Sequence, residues 1–554
     1  MRTAICQLTG ESFEIGPIEE KLRAKFELSG VPKYSPQIRL LWLGAFWQHW
    51  NLYPRKCDKT GKDIISTYRP DCPYKVYERE EWLKSDDIVG ADIDISDPTN
   101  TVFKQMKGFF FKNTIPHNES VNSENCYYAI WVANSKNVYL SINTLDSENI
   151  RYGYRTVNNR DCSYVCSSFD CELCLDVINC KTCYNSIYLL NCQKCVDSAF
   201  LYDCRNCNDC FLSSNLRNKQ YYFANKQYSK EEYFKLKSEY NMKSRSVYEQ
   251  LKTHFKTMMK EHSYHKALFH DRCENSSGGD YLANCKDCEG CYFMQNGQDC
   301  ANYIRPVKVT DSLDCIGGGA NSSLLHLCMG CYYNAFDCRY CLFCRQCSYI
   351  EYCMYCMQCE HCFGCVGLKN KKYHIFNKPY TETEYFMKKK ELIEFMKNTG
   401  EYGDFFPFEF APCPYQDSIS GYYWPLSEDD MKHLGMWSTP PETREKGSCK
   451  PISELPDNAD DMPAELLQVG FWDDIASKPF QVFPEDVAFS KKTNTPLPYT
   501  NFIRRLQENF RWMPFDGTLK DAVCMDCKAH VKTSWGPEYH HNLLCDTCYD
   551  KRIG

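Results

Sequence analysis

No apolar run in this 554-residue sequence approaches the length needed to cross a membrane, so an integral membrane protein is not expected. Nor is a leader expected. Met1-Arg2-Thr3 passes directly into Ile5-Cys6-Gln7-Leu8 without an apolar core segment, and no secretory signal is expected. Positive charge is not in excess either. Lys and Arg total 65 against 72 Asp and Glu, a formal net charge of −7, which argues against a general nucleic-acid footprint, because that needs a clustered positive surface. Finally, no grouping of nucleophile, base and oxyanion donors names a reaction. No catalytic or cofactor-binding residue is assigned, and the expectation is a protein that is not an enzyme.

What is present in abundance is cysteine, 38 residues of it. In a secreted chain these would suggest a disulfide framework, but without a leader the expected setting is a reducing compartment with thiols and metal sites. Charged residues make up 25% and hydrophobic residues 43%, a balance that fits several folded domains.

The cysteines lie in a repeat. From Asn125 the chain divides into eight twelve-residue units without an insertion, beginning at Asn125, Asn137, Asn149, Asp161, Leu173, Asn185, Asp197 and Asp209. Seven of the eight first positions are Asn or Asp, as expected of a turn column whose side chains bond backbone and one another. The second, fifth, eighth and eleventh residues of each unit are nearly all small or cysteine: Val138, Ser141, Thr144 and Ser147 in one, Cys174, Val177, Cys180 and Cys183 in another, Ser186, Leu189, Cys192 and Cys195 in the next. A period of three fits neither an α-helix nor a flat strand. It fits a tight coil that turns inward at four points, where only small groups fit.

A less regular block follows from about Cys273. Cys285, Cys288 and Cys291 keep the period, Cys328 and Cys331 sit in another phase, and Cys338, Cys341, Cys344, Cys347, Cys353, Cys356, Cys359, Cys362 and Cys365 form its densest part. Both blocks end alike. Asn215-Leu-Arg-Asn-Lys followed by Tyr228-Ser-Lys-Glu-Glu-Tyr-Phe recurs 152 residues later as Gly367-Leu-Lys-Asn-Lys followed by Tyr380-Thr-Glu-Thr-Glu-Tyr-Phe. The capping boxes Ser229…Glu232 and Thr381…Glu384 predict helices over about 230–262 and 382–397 that close each block.

The C-terminus carries Cys524-x2-Cys527-x17-Cys545-x2-Cys548. Two knuckles at this spacing offer four thiolates to a tetrahedral Zn²⁺ and leave no position open for substrate. A worn copy lies 467 residues upstream, with Cys57 at the place of Cys524, Pro70 at Pro537 and Phe13 at Phe480. In that register Thr60, Glu78 and Glu81 replace the other three ligands, so zinc there would need rescue by Cys6 or Cys72.

The coil pattern resembles that of the beetle antifreeze β-helices, whose twelve-residue coils also point small residues and cysteines inward. Their ice-binding Thr-x-Thr column has no counterpart. The matching outward pairs are Asn125/Tyr127, Asn137/Tyr139, Asn149/Arg151 and Asp161/Ser163, so only the coil geometry carries over. The whole chain resembles an uncharacterised family of cysteine-rich proteins from candidate-phyla bacteria and giant viruses, often labelled as CoA-transferases. The matching stretches are Cys6-Gln-Leu-Thr-Gly10, Arg55-Lys-Cys-Asp-Lys-Thr-Gly61, Ser66 to Tyr77, the cysteine coils and the closing ribbon. The resemblance implies organisation and no activity. The expected location, from the absence of a secretory signal, is the cytoplasm, or the virion if the source is viral.

The expected fold class is therefore mainly β, with two narrow parallel β-solenoid blocks, helical caps and flanking zinc-ribbon-like modules. Residues 1–85 form the degenerate module, 86–124 a linker and N-terminal cap, 125–227 the first block, 228–270 cap helices, 271–379 the second block, and 380–400 its cap. A Pro- and acid-rich arm follows over 401–475, and the zinc-ribbon module over 476–554. Three readings of the coil cysteines stay open. They fill a core too narrow for leucine; they form bridges such as Cys174 with Cys180 or Cys338 with Cys344; or sets such as Cys180, Cys183, Cys192 and Cys195, or that of 338–347, hold metal. His361-Cys362, Gly317-Gly-Gly319 and the lysines Lys388 to Lys390 are read as an outward–inward pair, a loop and a solvated face. The expected function is a structural or macromolecule-binding scaffold with one structural zinc on Cys524, Cys527, Cys545 and Cys548. Its partner is expected on the repeat faces, where aromatic columns such as Tyr127, Tyr139, Tyr188 and Phe200 point outward, with a nucleic acid not favoured. The alternative is a protein storing zinc, copper or iron–sulfur species on stacked cysteines.

Overall fold

Every third residue from Asn122 to Tyr221 lies in the left-handed region, with φ between 44° and 59°. L-residues enter that region at a cost, which Asn and Asp bear best and β-branched residues worst. The choice of residues follows. Asn and Asp dominate, Trp131, Tyr152, Tyr164, Tyr188 and Phe200 fill buried positions, and Thr182 is the one β-branched residue in the run. Each left-handed corner is followed by a residue pointing inward and then by one in extended conformation, so four triplets complete a rung of twelve.

The computed structural model describes residues 2–28, 30–48, 51–301, 307–313, 336–339, 342–439, 445–512 and 518–554. Within them the rungs join as parallel ladders in a twelve-residue register, Lys136 opposite Glu148, Ile142 opposite Tyr154, and Ile187 opposite Ala199. The same register links Asp280 to Tyr292 and Ser348 to Glu360 in the second block. Backbone bonding is shared in a fixed way. The corner N–H of Leu140 donates to the Tyr127 carbonyl at 3.1 Å, and the extended N–H of Ile142 donates to the Gly153 carbonyl at 2.8 Å. Corner amides form their own ladder, Asn125 to Asn137 to Asn149 to Asp161, at 3.1, 2.8 and 2.7 Å.

The inward positions are buried as expected, with Val138, Ser141, Thr144, Cys174, Val177, Cys192 and Cys195 all at or near zero exposure. Their chemistry is more specific than small size. The inward N–H of Ser147 donates to Ser135 Oγ one rung back at 3.1 Å, and that of Cys359 to Cys347 Sγ at 3.4 Å. Most inward thiols in turn point at two carbonyls, while among the described residues Cys207 and Cys300 reach one. Cys192 Sγ reaches Leu190 O at 3.4 Å and Leu201 O in the next rung at 3.5 Å, and Cys353 Sγ reaches Glu351 O and Cys362 O at 3.3 and 3.5 Å. Cys and Ser exchange in these columns because each carries a donor and an acceptor at the γ position.

Both blocks end in an antiparallel hairpin, Gln220–Phe223 with Lys226–Gln227 and Lys372–Ile375 with Lys378–Pro379. Complete capping boxes at Ser229 and Thr381 then start helices Lys230–Ser238 and Glu382–Thr399. The cap expected over 228–270 contains two helices, the second spanning Arg245–His262. Ser244 caps it, and the Arg245 N–H is taken by the Asp457 carbonyl at 2.8 Å. Tyr188 and Phe200 do leave the block interior, but this second helix covers them with Tyr248 and Phe255. Tyr127 is 60% exposed.

The second block runs back along the first. Asn191 donates to the Tyr281 hydroxyl at 3.1 Å, and Trp131, five rungs earlier, stacks on Phe343 at 4.6 Å. The stretch after the second cap packs closely, with Phe405, Phe406, Phe408 and Phe410 buried and Phe408 stacked on Trp42 at 4.3 Å. No helix among the described residues is long and apolar enough to cross a membrane.

Candidate metal centre

The C-terminal site is built from a hairpin and a helix. Lys520–Val523 pairs with His530–Thr533, and the turn between them is closed by Cys524 N–H to Ala529 O at 2.9 Å and Lys528 N–H to Cys524 O at 3.1 Å. Lys528 takes the left-handed corner at φ 63°. Cys545 is the N-cap of helix Asp546–Ile553, which carries Cys548 on its first turn. The four sulfurs all lie within 4.8 Å of one another, with Cys527 and Cys545 at 3.7 Å. A regular tetrahedron of Zn–S bonds near 2.3 Å has sulfur–sulfur edges of about 3.8 Å, so this donor set fits a zinc-sized, thiophilic cation. Burial resists charge on Cys524, but N–H groups of Cys545, Cys527 and Asp526 turned toward its sulfur bring its pKa down to about 6. Cys548, bonded to the Cys545 thiol and partly desolvated, is pushed up to about 12. One thiolate is thus favoured by the fold, and a bound cation would favour the rest.

The module docks at the junction of the two blocks. Leu543–Leu544 pairs in parallel with His265–Lys266. Trp535 packs on His265 and Tyr202, and Ser534 donates to the buried Asp280.

Cys57 opens the same structure. Hairpin Tyr53–Lys56 with Asp63–Ser66 has the register of the C-terminal hairpin, and Gly61 takes the left-handed corner at φ 71°. Glu78 is the N-cap of helix Arg79–Lys84, and its N–H donates to Cys57 Sγ at 3.2 Å. The Thr60 side chain bonds to the Cys57 sulfur where Cys527 would contribute a ligand. Rescue by other cysteines is not built. Cys72 Sγ turns to the Pro412 carbonyl at 3.2 Å, and Cys6 belongs to a knuckle of its own.

That further knuckle, and a fourth, were not evident from cysteine spacing. Cys6 sits on hairpin Arg2–Ile5 with Ser12–Ile15, beside Thr9 and the N–H of Ser35, the N-cap of helix Pro36–Gly44. Burial raises the Cys6 pKa, but these bonds bring it down to about 7. In hairpin Gly470–Asp473 with Lys478–Gln481, Asp473 replaces the cysteine. Its carboxylate accepts from the N–H groups of Ile475 and Ala476, each at 3.1 Å, and from Asn501, the N-cap of helix Phe502–Phe510, at 2.9 Å. Two tandem knuckle–helix pairs therefore flank the blocks, and one of the four modules has all four thiols. The signal in the sequence was the 467-residue offset, with Phe13 and Phe480 marking the pair that lacks metal ligands.

Among the described residues the other thiols form no comparable group. Cys174, Cys180, Cys183, Cys192 and Cys195 are free, and among the described residues the C-terminal quartet is the group with metal-ligand geometry. His361 stacks between Tyr349 and Tyr373 on the outer side while Cys362 points inward. Lys388 and Lys390 are exposed, and Lys389 pairs with Glu351 at 2.9 Å. Gly317 to Gly319, Cys328, Cys331, Cys341 and the side chain of Cys338 lie outside the described residues. No family model, curated protein or solved structure matches the chain.

Proposed function

We propose that the chain is a non-enzymatic cytoplasmic scaffold of the uncharacterised cysteine-rich family, in which two antiparallel β-solenoid blocks present their outer faces to a macromolecular partner. A structural Zn²⁺ on Cys524, Cys527, Cys545 and Cys548 pins the C-terminal module across the block junction. The observation that carries this reading is the closed thiol quartet, four sulfurs with no place left for a substrate, set beside long repeat faces. One of those faces is a charged ladder, with Lys136 to Glu124 at 3.4 Å and Arg160 to Glu148 at 3.8 Å, next to the exposed Tyr127 and Tyr128. The engagement of block thiols with backbone carbonyls supports a packing role over metal storage. Metal analysis of anaerobically purified protein separates the two. About one zinc per chain, lost in Cys545→Ser, supports the scaffold. Several metals per chain would favour the store, and no zinc would remove the assignment. Affinity capture with full-length chain and identification of what binds tests the partner.

A further inference from the structure

Between the two blocks lies a cavity of about 340 Å³. One wall comes from the first block, where Lys181, Gln193 and Arg205 follow one another at twelve-residue steps, about 4.8 Å apart along the ladder. The facing wall is an aromatic stack in the second block. Phe269 lies 4.9 Å from Tyr281, and Tyr281 4.9 Å from Phe293, at interplanar angles of 21° and 19°.

The charges in this seam do not cancel. Asp203 is taken by Arg217 at 3.2 Å and Asp271 by Arg272 at 3.4 Å. Asp170 accepts from Asn158 at 3.2 Å. Among the described residues no carboxylate lies within ion-pair distance of Lys181 or Arg205, and the charge of Arg205 acts on the buried Asp203 at longer range. The planar guanidinium fork of Arg205 matches carboxylate and phosphate oxygens. Tyr281 is stacked on both faces, by Phe269 and by Phe293, and all three residues line the cavity. Ring edges carry partial positive charge and attract the face of a planar π-system. Polar groups complete the lining. Asn179 donates to Asn191 at 2.9 Å and Asn191 to Tyr281 Oη at 3.1 Å.

We infer that this seam binds a small aromatic anion, its carboxylate or phosphate on Arg205 and Lys181 and its ring against Phe269, Tyr281 and Phe293. The volume suits a ligand the size of a mononucleotide. Calorimetric titration of the full-length chain tests it with AMP and 2-naphthoate as probes, and adenosine and inorganic phosphate as half-ligands. At least one aromatic anion is expected to bind at sub-millimolar concentration, with each half-ligand at least about tenfold weaker. Loss of one charge-assisted contact in Arg205→Gln is expected to weaken binding about tenfold or more, and Lys181→Gln, on an exposed position, to weaken it less. The inference is overturned if neither aromatic anion binds at about 5 mM, if the better of the two binds no more tightly than adenosine or inorganic phosphate, or if affinity is unchanged in both variants.

Discussion

Arg505 and Asp176, far apart in sequence, form a buried ion pair that fastens helix Phe502–Phe510 to a corner of the first block. Nε lies 3.0 Å from Oδ1, and the second guanidinium nitrogen bonds to Oδ2. Asp176 occupies a left-handed corner at φ 51°. It also accepts from Tyr248 at 2.7 Å and Asn509 at 3.1 Å, while the guanidinium sits 3.8 Å over the Tyr164 ring. Both residues are almost wholly buried, so the pair is worth most as a pair. Arg505→Met leaves a buried carboxylate uncompensated and is expected to destabilise the helix by about 3–5 kcal/mol. Adding Asp176→Asn should recover most of that loss. Hydrogen exchange over 502–510 reads both, and equal protection in the single and double variants would contradict the coupling.

The histidines set a pH dependence. His265 is buried, donates from Nε2 to Met259 O and accepts at Nδ1 from the Tyr202 hydroxyl, each at 2.9 Å. Burial lowers its pKa to about 4, and burial with the neighbouring Arg79 does the same to His117. The unfolded chain therefore takes up these protons first, from the ordinary value of 6.5 downward. Stability from each group is present above about pH 6.5 and is lost as pH falls toward 4, by about 3 kcal/mol at most. Urea unfolding between pH 4.5 and 7.5 is expected to show this slope, reduced in His265→Gln and further in His117→Gln/His265→Gln. A slope unchanged in the double variant would assign it to other groups.

The repeat makes a sharper claim about cysteine. If the inward thiols only fill space, alanine should replace Cys192 better than serine. The two carbonyls at 3.4 and 3.5 Å say the opposite, because Ser keeps a donor for them and Ala leaves both without one. Cys192→Ser is expected to cost within about 1 kcal/mol, and Cys192→Ala about 1 kcal/mol more. At the corners the order is set by backbone. Asn149 has φ 56°, so Asn149→Gly should be mild and Asn149→Val should cost about 1–3 kcal/mol. Melting temperatures of the four variants decide both rankings.

Much of this architecture was legible in the sequence because a period of three leaves a mark. The inward columns, the Asn149-to-Asp161 type of ladder, the duplicated capping boxes and the four C-terminal cysteines all follow from local rules. Left-handed corners at Tyr152, Tyr164 and Leu140 did not, since nothing in those residue types favours that conformation and only packing holds it. The antiparallel pairing of the blocks rests on single contacts such as Trp131 with Phe343, which no periodicity announces. The fourth knuckle was hidden because Asp473 does with a carboxylate what Cys524 does with a thiol.

That equivalence leads to a gain-of-site experiment. The Cys57 module has the hairpin register, the left-handed corner, the N–H to sulfur bond and the N-cap position of the C-terminal site. It lacks three ligands, at Thr60, at Glu78 and on the first turn at Glu81. Thr60 now bonds to the Cys57 sulfur, so a hydroxyl-to-sulfur contact does locally what the metal would do between knuckle and helix. Thr60→Cys/Glu78→Cys/Glu81→Cys is therefore expected to raise bound zinc from about one to about two per chain. The second equivalent should be lost again on Cys57→Ser, because structural zinc needs all four thiolates to reach its full affinity. A folded triple variant that still holds one zinc would mean that the backbone likeness does not extend to ligand geometry.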